Sequence, residues 1–162
     1  MKSYNLAAGH AWAVALVLGL SSPAAAGDQV PFKGGFEGVD TVTPLAAPFV
    51  AAEVSATGNA TRLGKFTLSI SATVNRTTGA ATGTFEFVAA NGDTVFGTLT
   101  GQSSPPDAGV LTIEEAFTIT GGTGRFAGAT GGFTGTRLKN LATDDTIGVF
   151  EGTISSPGAG KR

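Results

Sequence analysis

Glu115 is the residue of this chain best placed for acid–base chemistry. Leu111, Ile113, Glu115, Phe117 and Ile119 are alternate positions of one run, and only Glu115 among them is charged. Alternate residues of an extended segment share a face. A carboxyl desolvated on an apolar face keeps its proton to higher pH and can serve as an acid or base near neutrality. Two other readings stay open. A bulge at Glu114-Glu115 would turn both side chains to water, and Arg125 or Arg137 would pair with Glu115 if buried beside it. Phe85, Phe87 and Phe117 fall on the apolar faces of their segments and are the candidates for contact with an apolar ligand.

Other chemistries are excluded by composition. The chain has no Cys, and its only His (His10), Trp (Trp12), Tyr (Tyr4) and Met (Met1) lie at the N-terminus. Without that segment there is no Ser-His-Asp or Cys-His constellation and no ordinary donor set for zinc, copper, haem or iron–sulfur. Asp107 and Asp144-Asp145 lack the spacing of a calcium loop. Gly121–Gly124 is followed by neither Lys-Ser/Thr nor a helix, so it is not a phosphate loop. No metal and no cofactor are expected.

The N-terminus reads as an address. Lys2 precedes the apolar run Ala11–Leu20, Ser21-Ser22-Pro23 ends it, and Ala24-Ala25-Ala26 supplies the small residues of a cleavage site. Ten apolar residues are too few to span a bilayer about 30 Å thick. Residues 1–26 are therefore expected to be a cleaved signal peptide, and the mature chain 27–162 to be secreted or periplasmic, without membrane insertion. Removing 26 of 162 residues leaves 136, one domain's worth. That part keeps nine of ten basic residues and all twelve acidic ones, a formal charge of −3. A mildly acidic surface argues against nucleic acid and anionic membrane as partners.

The elements that must position these residues are strands. Lys65–Asn75 alternates Phe66, Leu68, Ile70, Ala72 and Val74 with polar residues, the period of a half-buried strand. Similar stretches are Phe32–Val42, Phe49–Thr57, Ala81–Ala90, Asp93–Gly101, Val110–Thr120, Gly128–Leu138 and Ile147–Ser155. Pro44–Pro48, Arg76–Gly79, Asn91-Gly92, Ser103–Asp107 and Asn140–Asp145 are the breaks. Asn91-Gly92 predicts a type I′ hairpin turn with both residues at positive φ. The ends, Gly27–Pro31 and Pro157–Arg162, read as frayed. Eight strands with short connections and no helical periodicity give an all-β fold, an eight-stranded antiparallel barrel favoured over a sandwich. Glycines inside the strands fit the bends and close approaches of such a barrel.

The segment Ile119-Thr120-Gly121-Gly122-Thr123-Gly124-Arg125-Phe126-Ala127-Gly128-Ala129-Thr130-Gly131 resembles the I-T-G-G-[ST]-G-x-F-x-G-A-x-G stretch of allene oxide cyclases. It is also similar to the G-G-T-G-x-F stretch of plant dirigent proteins. The resemblance implies an eight-stranded, lipocalin-like barrel that holds an apolar, reactive substrate in a shaped cavity with help from a carboxylate. Thr130-Gly131-Gly132 stand where those families often carry a Tyr or an Arg-Gly-Tyr run, so their aromatic and basic groups are missing here. In the bare physics of the segment, the glycines allow a tight reversal, and Phe126 can plug the space beneath it.

Three functions remain open: a non-catalytic exported barrel that binds a small apolar ligand or a partner protein, an isomerase or cyclase-type enzyme using Glu115, and a structural envelope domain without ligand. Oligomers are compatible with each. The interior decides: a solid centre leaves only the third, while a cavity of a few hundred Å³ keeps the first two.

Overall fold

The structure, a computed structural model, describes residues 28–155 and 157. The expected signal peptide, residues 1–26, lies outside the described residues. Eight antiparallel strands follow in chain order: β1 Gln29–Pro44, β2 Phe49–Ala60, β3 Gly64–Asn75, β4 Ala80–Ala89, β5 Thr94–Ser103, β6 Val110–Gly122, β7 Gly131–Asn140 and β8 Asp145–Ser155. Each pairs with its sequence neighbours, and β1 pairs with β8, so the sheet is a closed barrel with no free edge. The 3₁₀ turn Gly124–Phe126 is the one helical element among the described residues. Among those residues no helix is long and apolar enough to cross a membrane.

Strand parity decides what fills the interior. Phe66, Leu68 and Ile70 of β3, Phe85 and Phe87 of β4, and Phe117 and Ile119 of β6 all point inward and are buried, as their alternation predicts. Phe32, Phe133 and Phe150 join them from β1, β7 and β8. The rings meet mostly edge to face or tilted, with Phe117 and Phe133 stacked at 4.4 Å. Such pairs add about 0.5–1.5 kcal/mol each beyond the area they bury. So many rings fit because the cross-strand neighbours are small. A Cβ on Gly148 would strike the Phe36 ring, and one on Gly152 would strike Phe133.

One end of the barrel is sealed by the connection between β6 and β7. Gly124 there has φ 58°, a conformation that favours glycine, and the chain turns back over Phe126, which is 1% exposed. Arg125 lies across the same end and donates from Nη2 to the Leu63 carbonyl at 3.1 Å. Gly122, by contrast, needs no positive φ. It is required by closeness, since a Cβ there would meet the Phe126 carbonyl at 2.6 Å.

Three local expectations are corrected. Residues 29–31 are not frayed, because Gln29 and Pro31 lie opposite Ser155 and Thr153 in the ladder that closes the barrel. The strand expected from Gly128 starts at Gly131, because Gly128–Thr130 complete the plug turn, with Ala129 N–H donating to the Phe126 carbonyl. The hairpin between β4 and β5 is not type I′. Gly92 alone has positive φ (86°), its N–H donates to the Ala89 carbonyl at 2.8 Å, and Ala89 N–H donates to the Asp93 carbonyl. That is a three-residue loop ending in a glycine bulge.

Candidate functional site

The opposite end is built differently. Beyond the aromatic rings the inward positions of three strands change from apolar to charged: Asp40 in β1, Glu115 in β6, and Arg137 and Lys139 in β7. All four are buried, with 2%, 6%, 5% and 3% exposure respectively. Arg137 stands opposite Ile113 and one step diagonal to Glu115. Its Nε and Nη2 donate to Glu115 Oε2 and Oε1 at 3.2 and 3.0 Å, a two-pronged pair. Its Nη1 donates to Asp40 Oδ2, bridging β7 to β1.

Lys139 completes the cluster. Its ammonium donates to the Asp40 carbonyl and lies 3.3 Å from Asp40 Oδ1 and 3.2 Å from Asp144 Oδ1. Asp144 belongs to the turn between β7 and β8, has φ 60° and keeps its side chain half exposed. Its carbonyl accepts from Asp40 N–H at 2.9 Å, tying that turn to β1. Burial lowers the Arg137 pKa, but the charges and hydrogen bonds of Glu115 and Asp40 outweigh it. The net result is a guanidinium held above its ordinary pKa and charged at any working pH.

These groups form one side of a cavity of about 730 Å³ that opens between the turns at this end. Facing them is an apolar wall of small side chains, Val50, Ala52 and Val54 from β2 and Ile70, Ala72 and Val74 from β3. Pro105 and Pro106 of the β5–β6 connection and Thr77 and Thr78 of the β3–β4 turn form its rim. The cavity is thus two-sided: apolar on β2 and β3, and mixed on β1, β6 and β7, where the buried charges stand among Val42, Leu111 and Ile113. Among the described residues no group of three metal-ligating side chains stands together to hold a metal ion.

The expectation for Glu115 is half met. It does point inward and is buried, so no bulge turns it to water. It is not the lone charge of an apolar interior, because Arg137 engages both its oxygens, and the Arg137 ion pair left open by the sequence is the one formed. Arg125 is far from it, at the plugged end with Asp93. Phe85, Phe87 and Phe117 pack into the aromatic cluster and do not line the cavity. Asp40 and Lys139 were missed as site residues. Each is a charge at the inward parity of its strand, in step with Phe32 and Phe36 or with Phe133, and that was the available signal.

No family model matches this chain, and no curated protein or solved structure matches it.

Proposed function

We propose that this barrel is a carrier or receptor domain that takes a small, largely apolar molecule into its open end. The observation that carries the reading is the two-sided cavity: its volume falls in the range of small-molecule sites, and it pairs an apolar wall with a few convergent polar groups. Packing supports it. The aromatic half fills its interior to the centre, so the empty space at the other end does not follow from the barrel's diameter alone. The likeness of Ile119–Gly131 to allene oxide cyclases and dirigent proteins agrees with this reading. The cyclase-type alternative is weaker, because Glu115 has both oxygens bonded to a charged guanidinium and is poorly placed to exchange a proton.

The reading is tested by native mass spectrometry of the protein from its exported fraction, together with titration by the neutral dye N-phenyl-1-naphthylamine. A retained small molecule and saturable dye fluorescence, lost when Ala72→Phe fills the apolar wall, are the expected results. Dye binding unchanged in Ala72→Phe would overturn it. The exported address belongs to the same proposal and rests on residues 1–26. N-terminal sequencing of the exported protein is expected to begin at Gly27, and a retained Met1 would refute it.

A further inference from the structure

Resting on that reading of the cavity, we infer that its occupant carries a hydrogen-bond donor, a hydroxyl or an amine, at the end that meets the charged cluster, and not a carboxylate. The argument is one of charge and hydrogen-bond capacity. The cluster holds three carboxylates, Asp40, Glu115 and Asp144, against two buried cations, Arg137 and Lys139; the third cation of the lining, Arg76, is exposed and stands outside this ion-paired cluster. The ammonium of Lys139 donates to the Asp40 carbonyl and is ion-paired with the carboxylates of Asp40 and Asp144, so its charge is already offset. Three of the five guanidinium protons of Arg137 are committed to Glu115 and Asp40. A ligand carboxylate entering here would have to displace a resident one or sit beside it.

Two guanidinium protons remain, but every cationic nitrogen of the cluster makes a hydrogen bond, whereas one buried carboxylate oxygen makes none. Asp40 is 2% exposed, yet its Oδ1 accepts no hydrogen bond among the described residues and has only the 3.3 Å approach of Lys139. A buried carboxylate oxygen without a hydrogen bond gains from any donor that reaches it. Asp40 lines the cavity, so a ligand can reach it from the open end. The small residues opposite, Ala52, Val54 and Ala72, leave room for the apolar body of such a molecule.

The test is displacement of bound N-phenyl-1-naphthylamine at neutral pH by four probes of equal chain length: decane, decanol, decylamine and decanoate. Decanol and decylamine are expected to displace the dye at concentrations about tenfold below decanoate, the equivalent of about 1.4 kcal/mol. Asp40→Asn should shrink that preference. Asp144→Asn removes a half-exposed carboxylate from Lys139, and is expected to shift selectivity several-fold towards decanoate with the fold kept. It keeps the test decisive if Asp40→Asn does not fold. Equal displacement by all four probes, or preference for decanoate, would overturn the donor-head inference and leave the cavity reading standing. Displacement by none would overturn both.

Discussion

The two ends of this barrel share strands, closure and parity, and differ in what their inward positions carry and in the β6–β7 plug that covers one of them. At the plugged end, Phe32, Phe66, Phe87 and Phe150 interlock over glycines, and Phe126 seals the top. At the open end the same strands carry Ala, Val and four buried charges around an unfilled space. Apolar burial stabilises a fold, whereas a buried ion cluster roughly offsets its own desolvation. The filled end therefore accounts for stability. The open end holds groups that add little to folding and that the proposed function assigns to a ligand.

That division is sharpened first where it should cost most. Phe87→Ala removes a ring that is 1% exposed and touches Phe32, Phe66 and Phe85, and should destabilise by about 3–5 kcal/mol in urea unfolding. Arg137→Met should cost a similar amount, about 3–5 kcal/mol, for the opposite reason: it strands Asp40 and Glu115 as buried charges without their shared partner. Replacing Asp40, Glu115, Arg137 and Lys139 together by apolar residues should then recover most of that loss. A fourfold variant as unstable as Arg137→Met would show that the cluster is a structural keystone, and the contrast between the ends would fall.

A smaller effect is expected from Glu115→Gln. A lone buried carboxylate would make this change stabilising at neutral pH. The two-pronged pair with Arg137 makes it destabilising, by about 1.5–3 kcal/mol. Thermal melts that rise for Glu115→Gln would restore the picture of an isolated acid. Outside the barrel, Thr67→Ala on the exposed face of β3 should change stability by less than about 0.5 kcal/mol.

The smallest expected effect is a null with pH. The folded-state pKa of Arg137 is raised, so the stability it contributes is fully present below its unfolded pKa and is lost only as pH rises through the still higher folded value. Between about pH 6 and 9 the titration of Arg137 itself therefore contributes no change, and the stability gap between the parent and Arg137→Met should not shrink as pH rises. A gap that shrinks within that window would mean that the guanidinium is not the charge that holds the cluster.

Much of this molecule was readable one strand at a time. Alternation in Lys65–Asn75 or in Leu111–Ile119 states which side chains face inward, because the pleat fixes it within each strand. Burial of Glu115 and the plugging ring of Phe126 follow from such local signals. The turn at Asn91-Gly92 was less readable, since the same dipeptide serves both a mirror-image turn and a glycine bulge, and the register of the flanking strands chooses between them.

The sequence by itself determined that strands form, that they suffice to close a barrel, and which face of each is apolar. Tertiary structure alone decided which inward charges meet. Asp40 and Arg137 are 97 residues apart, and they are neighbours only because β1 pairs with β8 and brings the first strand beside the last two. A period of two reports the face a residue occupies but not its height along the barrel axis. That height is set by the stagger of all eight strands at once, and it separates the rings at one end from the charges at the other.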